Sequence, residues 1–190
     1  MGIKYLCCAM LMVGALAVAG QAALSAPMDN AEGKGGRVAV ASLKDYPDIG
    51  SASGMQWIFN SASDPPVLAF EVPRTDNQLW AMVCERADHG RVIVAHLIVA
   101  SPEYKGEGDY VQLTIRVDDR LALKRAAPMR SVMLEGERYF MPQFHLPIDH
   151  PLFSALAAGR RAYMDMDDSK FSIGLAGSGK ALKGFLKACR

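Results

Sequence analysis

The sequence predicts a mainly β protein: an antiparallel β-sandwich or barrel-like sheet with two short helices, one of them C-terminal. Three observations carry this. Short apolar stretches recur from Val67 onward, several alternating at period two. Turn-forming clusters such as Asn60-Ser-Ala-Ser-Asp-Pro-Pro66 and Asp118-Asp119 separate them at short intervals. Beyond the N-terminal apolar run, only the stretches near Pro151–Gly159 and Lys180–Arg190 place apolar residues at helical spacing.

The N-terminus is set apart from that domain. Met1–Lys4 is a short basic start, Tyr5–Gly20 is uninterruptedly apolar, and small residues follow to Ala26 before Pro27. This is the order of a secretory signal peptide, with cleavage expected between Gly20 and Ala26. Cys7 and Cys8 lie too early for a lipid-attachment site and fall within the removed segment. The expected organisation is a signal peptide over residues 1–25, a Gly-rich polar leader over 26–36, and one domain over 37–190. Lys4 is the single charged residue of the signal, so its loss balances acids against bases. A neutral domain has no general pull toward nucleic acid or an anionic membrane. The expected location is the bacterial periplasm or the exterior, without a membrane span after cleavage.

Taken in order, Arg37–Leu43 alternates apolar with small residues and reads as a first strand. Lys44–Gly54 is a loop punctuated by Pro47, Gly50 and Gly54, and Met55–Phe59 is the next apolar piece. Val67–Val72 and Gln78–Glu85 are strands, the second placing Trp80, Met82 and Cys84 on one face. Arg91–Ala100 is apolar on both faces, as at the centre of a packed sheet, with His96 as a core histidine. Trp57, Phe59, Phe70 and Trp80 are expected in the core. In Tyr110–Val117, Val111, Leu113, Ile115 and Val117 point inward and Gln112, Thr114 and Arg116 outward. Leu121–Leu123, Ser131–Leu134 and Arg138–Leu146 are further strands. Asp149 or His150 caps a helix with Pro151 in its first position, apolar face Leu152, Phe153 and Leu156, and Gly159 at its end. Arg160–Met166 and Phe171–Leu175 form the last strand pair across Asp167-Asp168-Ser169.

The closing helix carries Leu182, Phe185, Leu186 and Cys189 at i, i+3, i+4, i+7, with Lys180, Lys183, Lys187 and Arg190 on the other side. Once the signal is removed, Cys84 and Cys189 are the two remaining cysteines. An even count in an oxidising compartment makes a Cys84–Cys189 disulfide the expectation.

No motif here assigns an activity. Gly174-Leu-Ala-Gly-Ser-Gly-Lys180 matches the phosphate-loop spacing, but Ala181 replaces the hydroxyl that would hold Mg²⁺. The ten residues after Lys180 also leave no room for a parallel sheet downstream. It reads as a tight strand-to-helix turn with Ser178 as cap. His145, Asp149 and His150 lie close in sequence, but no G-x-S-x-G accompanies them. Asp165, Asp167 and Asp168 lack the pattern of a calcium loop and read as a solvated turn. No catalytic, cofactor or metal residue is therefore assigned.

The ending Phe171-Ser-Ile-Gly-Leu-Ala-Gly-Ser-Gly-Lys-Ala-Leu182 to Cys189, with Cys84 in Leu79-Trp-Ala-Met-Val-Cys84, resembles a class of small bacterial periplasmic β-domains. In these a mid-chain strand cysteine pairs with a C-terminal one, and the periplasmic accessory proteins of type VI secretion are similar in this respect. The resemblance covers about Gln78–Arg190 and implies fold, disulfide and compartment. The expected function is non-enzymatic binding of another envelope or secreted protein, or of a cell-wall component, through a sheet face or the loop Ser101–Asp109. An inhibitor or immunity protein that presents Glu103, Glu107 and Asp109 to a basic cleft is the alternative. A hydrolase using the His145–His150 region is the third reading.

Overall fold

The computed structural model describes residues 45–88, 90–98, 106–134, 137–167 and 169–190. The signal peptide, the leader, the strand expected at Arg37–Leu43, Glu103 and Asp168 lie outside the described residues. The described residues belong to one compact unit, Lys34–Arg190.

Its frame is a nine-stranded antiparallel sheet, curled into a half-barrel, with two helices. In chain order the strands are β1 (Gln56–Asn60), β2 (Val67–Glu71), β3 (Gln78–Ala87), β4 (Gly90–Leu97), β5 (Tyr110–Val117), β6 (Arg120–Leu134) and β7 (Glu137–Pro147). Helix α1 (Pro151–Ala158), strands β8 (Arg161–Met166) and β9 (Ser169–Gly174), and helix α2 (Ser178–Ala188) complete the chain. The spatial order is β1-β2-β3-β4-β7-β6-β5-β8-β9.

Alternation dictates most of this. In β5 the four inward residues are buried, and β8 buries Ala162, Met164 and Met166 while Arg161, Tyr163 and Asp165 face outward. Strand β4 buries Ile93 and Ala95 on one face and Val94 on the other, with His96 half-buried. Burial lowers the His96 pKa, since an imidazolium is costly to desolvate.

The curl comes from β6 and β7. Sequence reading gives two strands here, Leu121–Leu123 and Ser131–Leu134; the molecule instead runs a single strand of 15 residues through Pro128. Its first part pairs with β5 as far as Pro128↔Tyr110, and from Met129 onward it pairs with β7. Strand β7 hands over likewise, leaving β6 at Pro142 and joining β4 from Gln143. A proline cannot donate to the ladder, so each sits where its strand exchanges one partner for the next. Beyond these points β6 and β7 splay apart, and Arg125 Nη1 spans the gap to the His145 carbonyl at 2.8 Å.

Helix α1 starts as its sequence demands, with Pro151 in the first turn, and its cap is His150 rather than Asp149: Nδ1 accepts from the Leu152 N–H at 3.1 Å. Helix α2 buries Ala181, Leu182 and Phe185, and packs against α1, β1 and β2. Trp57, Phe70 and Trp80 form a buried aromatic cluster with ring centroids 5.3 and 5.7 Å from Trp57, and Phe59 meets Phe185 of α2. Ahead of β1, residues 47–50 lie along the edge of β9, with Asp48 bridged in parallel to Ser172.

Candidate functional site

The sequence-predicted residues separate into those that build the fold and those that face solvent. Cys84 and Cys189 are joined as a disulfide with Cα atoms 5.7 Å apart, tying the end of α2 to β3. The loop before α2 is a closed turn rather than a phosphate cradle. Gly177 holds the cap position at φ 85°, and the Ser178 N–H is already bonded to the Leu175 carbonyl. Ser178 is not a helix cap, which corrects the sequence expectation. It stands one position inside the helix, and its buried hydroxyl lies 2.7 Å from the Leu156 carbonyl and 2.8 Å from that of Leu175. One proton serves one carbonyl at a time, so the hydroxyl alternates between α1 and its own turn.

The histidines are drawn into structural tasks. His150 Nδ1 is occupied by its cap bond, and burial, reinforced by the nearby Arg125 charge, lowers its pKa. His145 lies 3.5 Å from Gln143 Nε2, and no described serine or cysteine hydrogen-bonds either imidazole. Among the described residues no group of three His, Cys, Asp or Glu is placed to hold a metal ion.

Nor do the acids form a free surface. Asp165 accepts from the Tyr46 hydroxyl at 2.6 Å and from Arg116 at 2.6 Å, so it belongs to a polar network on the outer face of β5 and β8 rather than to a solvated turn. Burial, and then the adjacent Asp165 carboxylate, push the Tyr46 phenol up to about 12. Arg161 binds Asp48 at 2.9 Å, which holds the Asp48 carboxyl below its usual range and pins residues 47–50 to β9. Asp167 accepts from the Gln112 N–H. In the loop before β5, Glu107 accepts from the Ser131 N–H at 2.6 Å and from Arg130, while Asp109 caps the Gly106 N–H.

A concave feature lies elsewhere, among residues that sequence reading took as strand, turn and helix positions and not as candidates for a site. A groove of about 660 Å³ runs between the β5–β6 turn, α1 and the start of β8. Val117, Leu121, Ala122, Pro151 and Ala155 supply apolar lining, and Asp118, Asp119, Arg120 and Arg160 supply charge of both signs. Leu121 is 56% exposed. The walls are fixed by Asp118, whose left-handed backbone (φ 54°) suits the first position of a two-residue hairpin turn. Its carboxylate accepts from the N–H groups of Arg160 and Arg161 at 3.2 and 3.1 Å, locking the turn to the α1–β8 junction. Gly159 lets the turn come close, since a Cβ there would collide with Val117 Cγ1. Besides the apolar residues, the lining carries the carboxyl groups of Asp118 and Asp119, the guanidinium groups of Arg120 and Arg160 and the phenol of Tyr163. The one sequence cue was an apolar Leu121 two residues past a turn, and single exposed leucines are too common to stand out.

No protein-family model, no curated protein and no solved structure matches the chain. No helix among the described residues is long and apolar enough to cross a membrane.

Proposed function

We propose that this chain is an exported, non-enzymatic binding or accessory protein of the bacterial cell envelope, and that it takes its partner in the groove between α1 and the β5–β6 turn. The observation that carries this is the groove: it is lined by apolar residues and by charges of both signs, and the Asp118 bonds tie its hairpin wall to the α1–β8 junction. A rigid apolar cleft with convergent charges lowers the ordering cost of binding. The signal-like N-terminus and the Cys84–Cys189 bridge support an oxidising compartment, periplasmic or external. The resemblance to the periplasmic accessory proteins of type VI secretion supports the same compartment.

Affinity capture from the native envelope tests it, with the exported chain and a Leu121→Asp variant run side by side. A stoichiometric protein that the wild type retains and the variant loses supports the reading. If that protein is an enzyme or a toxin, the role is inhibition. Equal capture by both chains removes the groove from the account.

A further inference from the structure

The cations of this protein are not distributed alike. Arg116, Arg130 and Arg161 each pair with an acid, respectively Asp165, Glu107 and Asp48. Helix α2 and the residues just after it behave differently. Lys180, Lys183, Lys187 and Arg190 are all exposed, and none makes an ion pair with a described residue. Of the elements packed against α2, α1 and β1 contain no charged residue. Glu71, the single acid of β2, is engaged by Gln78 at 2.7 Å.

The row continues past the disulfide. Arg91 Nη1 lies 4.0 Å from Cys84 Sγ, which places its guanidinium beside the end of α2. Arg91 stands directly across from Arg86 in the β3–β4 ladder. Like charges directly opposite destabilise a hairpin, so this pair opposes folding where it stands. Glu85 falls on the other face of β3, toward His96. Local segregation thus survives in a chain whose total charge is near zero.

We propose that this cationic face docks the protein on an anionic phospholipid bilayer, as a peripheral contact held by charge. The geometry favours a flat, continuous surface of negative charge. From Lys180 to Lys187 the helix rises about 10 Å, with basic residues at three- and four-residue spacing along one side, and Arg190 follows just past its end. No aromatic anchor interrupts the row, unlike the centre of a specific protein interface. The helix cannot insert, because Leu182 and Phe185 are buried in the core and Cys189 is bonded to Cys84. The contact is therefore electrostatic and screened by salt. It uses a different surface from the groove and stands or falls separately.

Vesicle co-sedimentation of the exported, bridged chain tests this. Vesicles of phosphatidylglycerol and phosphatidylethanolamine in equal parts are compared with phosphatidylcholine vesicles. Binding is expected to the anionic vesicles at low ionic strength and to disappear as salt approaches about 0.3 M. Replacing Lys180, Lys183 and Lys187 together by Gln should weaken it on the order of 100-fold. A charge-matched control, Arg74→Gln with Lys124→Gln and Arg138→Gln, should leave it within about twofold. Equal binding to both vesicle types overturns the proposal, as does an equal loss in the two triple variants. Absence of binding at any salt overturns it too, and leaves the face to an acidic protein.

Discussion

Trp57 Nε1 donates to the carbonyl oxygen of Gly174 at 3.0 Å and so joins β1 to β9, the two outer strands of the sheet. The half-barrel is drawn together at this point, with residues 47–50 along the β9 edge and α2 against β1. The edge of β9 is thereby partly paired by residues 47–50, which limits intermolecular pairing there.

Trp57→Phe keeps an aromatic ring against Phe70 and Trp80 and deletes only the donor. The Gly174 carbonyl then loses its partner, and the expected cost is about 1–2 kcal/mol in urea denaturation with an unchanged slope. A loss below about 0.3 kcal/mol would show that the β1–β9 closure contributes nothing to stability.

Replacing Cys84 and Cys189 by Ser opens a loop with a sequence separation of 105 residues. The expected loss is about 2–5 kcal/mol, since the bridge restricts the unfolded chain most when the loop is long. Thiol alkylation of the exported wild type, unfolded without reductant, should label neither residue. Labelling of both would remove the bridge from the account.

Much of this fold was legible. Period-two alternation placed β5 and β8, and Cys84 and Cys189 were the two cysteines left after the signal. What escaped depended on distant partners. Pro128 falls in a stretch left between two expected strands, yet it lies inside one long strand, and like Pro142 it marks the point where a ladder changes hands. Ser178 looked like a cap because it precedes a helix, but its hydroxyl reaches a carbonyl 22 residues away. Asp165 looked solvated until Tyr46 and Arg116 arrived from separate elements. The groove was invisible for the same reason: its walls come from a hairpin turn and a helix, and neither has a distinctive composition.

The contact between α1 and α2 is a second place to test. Ser178→Ala leaves the buried Leu156 carbonyl without its hydroxyl, and the expected cost is about 1–3 kcal/mol. Gly179→Ala should cost a similar amount for the opposite reason, because its Cβ would stand 2.7 Å from the backbone oxygen of Ala157. Thermal melts of both variants check this, and a wild-type midpoint for Gly179→Ala would contradict the close packing.

The His150 cap makes α1 sensitive to acid. Nδ1 accepts a hydrogen bond only while unprotonated, and burial lowers the folded pKa below the ordinary imidazole value of about 6.5. Between those two values the unfolded chain holds a proton that the folded chain does not, so stability falls as pH drops through that window. His96 shifts the same way and adds to the effect. His150→Asn keeps a cap worth about 1 kcal/mol and removes the titration. Its stability should decline less than wild type below about pH 6.5, as read from urea midpoints across pH. An identical decline would assign the acid sensitivity elsewhere.

The most direct measurement of the central claim is photo-crosslinking in the native envelope, with a photoreactive residue at Leu121 in the groove or at Thr75 away from it. Leu121 should yield one discrete adduct, abolished by Asp118→Ala, which unlocks the turn, and Thr75 should yield none. The same adducts from both positions, or none from Leu121 in a folded and bridged chain, would contradict a binding role for the groove.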